Sequence, residues 1–97
     1  MAIHGYNDYS NSFKLPATYL SKDNIFTVSF DLDGFGRNDN FGFWYPLEAH
    51  TQIIKKKLIK LKKTYPEKKI FLLGESMGGA IVTSLIANHK DLPIEGA

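Results

Sequence analysis

Apolar positions between residues 47 and 65 recur at helical spacing, and lysines fill most of the gaps. Leu47, His50, Ile54, Leu58, Leu61 and Tyr65 fall within about 40° of one line when each residue turns the chain by ~100°. The spacing predicts a long amphipathic helix to about Tyr65. It opens on Pro46, whose fixed φ suits a first turn, and stops at Pro66-Glu67. A second stripe, Ile81, Val82, Leu85 and Ile86, predicts another helix reaching about His89. Two stretches have a different texture. Ile25 to Leu32 is β-branched and aromatic, broken by Thr27, Ser29 and Asp31, and reads as a strand ending at Asp31. Ile70 to Leu73 is a short apolar run that reads as the next strand.

The remaining segments are shorter. Met1-Ala2-Ile3 leads directly into a turn at His4-Gly5, and Tyr6 to Tyr9 reads as loop. Ser10 or Ser12 is a candidate cap for a helix to about Leu20, with Phe13, Tyr19 and Leu20 as its buried side and Pro16 placed to kink it. Lys22-Asp23-Asn24 reads as a turn, and Asp33 to Asn40 as a glycine- and Asx-rich loop. Strand and helix alternate, which predicts an α/β fold: a parallel sheet of about three strands in a three-layer α/β/α arrangement with three helices. Binding loops then belong at the carboxyl ends of the strands, where His4-Gly5, the segment Asp31–Tyr45 and Ser76 all fall. Residues 1–97 read as a single partial domain, and both ends look cut through a larger fold.

Composition narrows the class without naming it. A formal charge of +2 is too near neutral to point to nucleic acid. The absence of cysteine excludes a disulfide framework and thiol chemistry. No apolar run approaches the ~20 residues of a membrane span, and the N-terminus has no signal region. A cytoplasmic location follows as the expectation. Lys55, Lys56, Lys57, Lys60, Lys62, Lys63, Lys68 and Lys69 crowd one region. That run reads as a solvated helix face, with weak attraction to an anionic membrane surface as the alternative.

The chemistry concentrates in Ile70-Phe-Leu-Leu-Gly74-Glu-Ser76-Met-Gly78-Gly79-Ala80. Four apolar residues enter Gly-x-Ser-x-Gly and a helical pattern leaves it, the context of a nucleophile elbow. Gly74 and Gly78 leave room for a sharp turn, and Gly79 for close helix packing. Ser76 is then the nucleophile, and the N–H of Met77, in the first turn of the helix, is placed to stabilise an oxyanion. The alternative is an ordinary strand-to-helix turn in which Ser76 caps the helix.

With those residues in view, the chain resembles the first part of an α/β-hydrolase domain. It is most similar to the monoacylglycerol lipase and lysophospholipase-like branch, which includes serine aminopeptidase-like sequences. His4-Gly5-Tyr6-Asn7-Asp8, Asp31-Leu-Asp-Gly34-Phe-Gly36-Arg-Asn and Phe71-Leu-Leu-Gly74-Glu-Ser76-Met-Gly78-Gly79-Ala80 carry the likeness. The resemblance implies Ser76 as nucleophile and the backbone N–H groups of Tyr6 and Met77 as the oxyanion hole. It implies His4 as a loop-shaping histidine beside Gly5, and a reaction without metal or cofactor. Where the family has an arginine, this chain has Asp33. The acid and histidine of the triad are expected beyond residue 97, in a C-terminal half that the triad requires.

None of the three histidines present reads as a substitute base. His89 lies thirteen residues along the helix from Ser76, roughly 20 Å at ~1.5 Å per residue. His50 sits on the core-facing stripe, and His4 reads as loop structure. Asp8, Asp31, Asp33 and Asp39 read as turn and loop anchors. Phe35, Phe41, Phe43, Trp44 and Tyr45 either wall an acyl pocket or pin their loop to the domain. The expectation is a serine hydrolase of carboxylic esters, with monoacylglycerol or lysophospholipid as the substrate the resemblance implies. A peptidase on the same scaffold, or a non-catalytic binding module, is the alternative.

Overall fold

The computed structural model describes all residues from Met1 to Ala97. In chain order it holds strand β1 (Ala2–Ile3), a 3-10 turn (Ser10–Phe13), and helices α1 (Lys14–Ser21) and α2 (Leu47–Thr64). Strand β2 (Leu73–Gly74) and helix α3 (Met77–Asn88) follow. β1 and β2 pair in parallel, Ala2 opposite Leu73 and Ile3 opposite Gly74. Ser29 bridges to Ala2 on the outer side of β1, and Gly96 bridges to Phe71 on the outer side of β2. The lateral order is therefore the segment around Ser29, β1, β2, then the segment around Gly96. The chain leaves β1 to one side and returns on the other, so the crevice between β1 and β2 is a topological switch point.

The core lies on one face of this sheet. Ile3, Leu32, Ile70 and Leu72 from the extended segments meet Ile54 and Leu58 of α2 and Ile81, Val82 and Leu85 of α3. Side chains alternate along a strand, so the neighbours of these residues point the other way. Phe71 and Leu73 lie on that second face and are about half exposed. The 3-10 turn buries Phe13 near Ala2, whereas α1 buries no residue. Helix packing is thus complete on one face only, and the three-layer arrangement expected from the alternation is not fully built here. What stands is a small parallel sheet with three helices.

Boundaries shift for identifiable reasons. Within Ile25 to Leu32 only Ser29 bridges to β1, and β1 is itself only two residues long, so it gives a longer strand little to pair with. The helix expected from Ser10 or Ser12 begins as the 3-10 turn, and neither serine caps it, since Tyr9 holds the cap position. Tyr19 faces solvent. Pro16 is the third residue of α1, so it lies in the first turn, where N–H groups have no intrahelical partner, and no kink follows. On α2 the ends of the stripe, Leu47 and Tyr65, are exposed; Thr51 is buried instead, its hydroxyl donating to the Glu48 carbonyl at 2.7 Å. Ile86 of α3 is exposed as well.

Candidate active site

β2 ends in a turn that no ordinary side chain favours. Ser76 has φ 55° and ψ −117°, a region close to glycine-only. Three bonds fix the turn: Glu75 N–H to the Ile3 carbonyl at 3.1 Å, Gly78 N–H to Glu75 at 2.9 Å, and Ala80 N–H to Ser76 at 3.1 Å. The Ser76 side chain makes no capping bond to α3 and is exposed. The simple capping role is therefore absent, and the hydroxyl projects at the carboxyl end of β2.

Close packing behind the turn depends on missing side chains. A Cβ on Gly78 would overlap the Ile3 carbonyl oxygen and lie 2.8 Å from that of His4. One on Gly74 would overlap Gly78 and reach within 2.7 Å of the Gly79 Cα. At Gly79 a Cβ would meet the Gly74 oxygen at 3.4 Å, an ordinary contact. Steric need for glycine thus sits at Gly74 and Gly78, and an alanine fits at Gly79.

The loop after β1 lies against this turn. A Cβ on Gly5 would stand 3.1 Å from the Ser76 Cβ and 2.6 Å from Glu75 Oε2. His4 is fully buried; its Nε2 accepts from the Leu32 N–H at 2.9 Å, and its Nδ1 lies 2.8 Å from the Gly5 carbonyl. An Nε2 that accepts leaves the proton on Nδ1, which donates to Gly5. With both nitrogens used, His4 ties the end of β1 to the extended segment beside it. The Tyr6 N–H has no acceptor within the chain. Met77 opens α3, where first-turn N–H groups lack intrahelical carbonyls. Met77 follows Ser76 directly at the start of α3, and Tyr6 follows Gly5, the residue packed against Ser76.

The long loop from Asp31 to Tyr45 is held by its own Asx groups. Asp31 accepts from the Ser10 N–H at 2.8 Å and the Arg37 N–H at 2.9 Å. Burial alone would raise its pKa, but these backbone donors prevail and hold the carboxyl below its ordinary value. Asn38 Nδ2 faces the carbonyls of Asp31, Leu32 and Phe35 at 2.8, 2.8 and 3.2 Å. Asn40 accepts from the Gly34 N–H at 2.8 Å and donates to Asp33 Oδ1 at 3.3 Å. Asp33 thus takes part in anchoring this loop. The central role of Asn38 escaped the sequence reading, because an Asx-rich loop does not say which amide reaches which carbonyl.

Phe35 joins the elements. Its ring meets His4 at 5.7 Å and Tyr6 at 5.5 Å, both edge-on, and His50 at 6.4 Å. His50 is buried between Phe35 and Tyr45. Burial lowers its pKa, the Asp33 carboxylate pulls the other way, and His4 adds to the lowering. His50 is therefore a core histidine whose neutral form is favoured by its surroundings. Phe41, Phe43 and Trp44 are exposed. His89, at the far end of α3, lies with Nδ1 3.2 Å from Lys55 Nζ, well away from Ser76. No group of three or more His, Cys, Asp or Glu is placed to hold a metal ion.

Comparison with known proteins gives one match. The family model described as serine aminopeptidase, S33, covers residues 1–97. No curated protein and no solved structure matches the chain.

Proposed function

The chain belongs to the serine aminopeptidase S33 family of α/β-hydrolases, and on that premise we propose that it carries the nucleophile and oxyanion hole of a serine ester hydrolase. The observation that carries the reading is Ser76 at φ 55°, exposed at the end of β2 with Gly5 packed against it. In the proposed reaction Ser76 Oγ attacks an ester carbonyl and the N–H groups of Tyr6 and Met77 stabilise the oxyanion. The alcohol leaves, and water then releases the acid from the acyl-enzyme. The base that takes the Ser76 proton is a histidine outside residues 1–97, oriented by an acid there, because His4, His50 and His89 are each committed elsewhere. No metal or cofactor takes part. Monoacylglycerol or lysophospholipid is the proposed substrate class, with the enzyme in the cytoplasm or peripheral to a membrane.

The family description supports a second reading, cleavage of an N-terminal amide, on the same nucleophile. The test uses the chain together with its downstream reading frame. A fluorophosphonate probe should label the protein, and Ser76→Ala should abolish labelling. Turnover of a monoacylglycerol over an aminoacyl anilide supports the ester reading, and the reverse supports the peptidase. Labelling that survives in Ser76→Ala, or no labelling at all, overturns both in favour of a non-catalytic module.

A further inference from the structure

Glu75 turns its side chain back over the loop after β1. A Cβ on Gly5 would stand 2.6 Å from Glu75 Oε2 and 3.1 Å from the Ser76 Cβ. Both distances run from one point, so the carboxylate lies within the ~4–6 Å of the nucleophile's side chain over which charges act strongly on one another. The backbone of Glu75 is fixed on both sides. Its N–H donates to the Ile3 carbonyl at 3.1 Å, and its carbonyl accepts from the Gly78 N–H at 2.9 Å. The side chain itself is exposed. Within two positions of Glu75 or Gly5, His4 is the one residue able to carry a positive charge, and backbone groups engage both its nitrogens. A carboxylate thus stands beside the nucleophile with no lysine or arginine in either adjoining turn.

Such a charge opposes some states of an ester hydrolysis more than others. When Ser76 Oγ attacks, the negative charge of the oxyanion is matched by the proton that the base has taken up, so the reacting groups are neutral overall. Deacylation then breaks the bond from Ser76 Oγ to the acyl carbon. The oxygen of water stays on that carbon, one of its protons returns to Ser76 through the base, and the acid loses the other to solvent. What remains is a free carboxylate where the ester carbonyl stood, with the base neutral again. We propose that Glu75 expels this product: like charges repel the free acid, and the neutral ester is left almost unaffected. The proposal rests on the hydrolase reading and assigns to the same site a residue that hastens product release.

The test uses the chain together with its downstream reading frame, p-nitrophenyl hexanoate as substrate, and hexanoate and hexanamide as charged and neutral inhibitors of equal length. Glu75→Gln should strengthen inhibition by hexanoate at least threefold. It should change inhibition by hexanamide, and the KM of the ester, less than twofold, and fluorophosphonate labelling of Ser76 should persist. Glu67→Gln, in the turn after α2, should change inhibition by either compound less than twofold. In the parent, added salt should strengthen inhibition by hexanoate, because it screens the repulsion, and leave hexanamide unchanged. That measurement decides the question if Glu75→Gln fails to fold. Equal inhibition by hexanoate in parent and Glu75→Gln, an equal gain for hexanamide, or no strengthening by salt overturns the proposal, while a labelled Ser76 leaves the hydrolase reading standing. Absence of labelling in the parent overturns both together.

Discussion

Replacing Ser76 by glycine should make this protein more stable, while replacing it by alanine should not. A non-glycine residue at φ 55°, ψ −117° costs about 1–3 kcal/mol. Glycine adopts that conformation freely but loses roughly 0.5–1 kcal/mol more in chain entropy on folding. The difference favours Ser76→Gly by about 1 kcal/mol. For a chain of 97 residues that is a rise in Tm of roughly 4–8 °C. Alanine retains the Cβ and so the strain, and the serine hydroxyl it removes makes no capping bond. Ser76→Ala should therefore stay within about 0.5 kcal/mol of the parent. Urea denaturation followed by far-ultraviolet circular dichroism measures both. If the glycine variant is no more stable than the alanine variant, the turn is not strained, and the argument that the fold forces Ser76 into an exposed, functional conformation fails.

Four further outcomes follow from contacts described above. Gly78→Ala pushes a methyl into the Ile3 carbonyl and should cost about 1–3 kcal/mol or more, seen as a lower urea midpoint; Gly79→Ala, with its ordinary contact, should cost under about 1 kcal/mol. His4→Ala leaves the buried Leu32 N–H without its acceptor and should cost about 1–3 kcal/mol, with faster hydrogen exchange at Leu32 than at core amides of α3. Burial lowers the His50 pKa, so the unfolded chain binds the extra proton. Its contribution is fully present above about pH 6.5 and declines as pH falls below that value. His50→Phe should flatten the stability profile between about pH 7 and 5. Asp31, also lowered, should still produce a fall near pH 4 and below, which Asp31→Asn would remove.

The sequence determined the local features. Helical periodicity marked α2, the Gly-x-Ser-x-Gly segment between apolar run and helix marked the turn, and Gly74 and Gly78 marked where backbones approach closely, because these signals act between residues near in the chain. It also indicated that His50 and His89 were unsuited as bases, from their positions on a stripe and along a helix. Tertiary structure decided the rest. That Gly5 packs on Ser76, that His4 bonds Leu32, that Asn38 gathers three carbonyls and that Phe35 links His4, Tyr6 and His50 are meetings between segments remote in the chain. Periodicity cannot encode them. The same holds for exposure: Phe71 has strand-like neighbours and an apolar side chain, yet it faces away from the core because side chains alternate along the strand and its neighbours Ile70 and Leu72 are the ones that α2 and α3 cover.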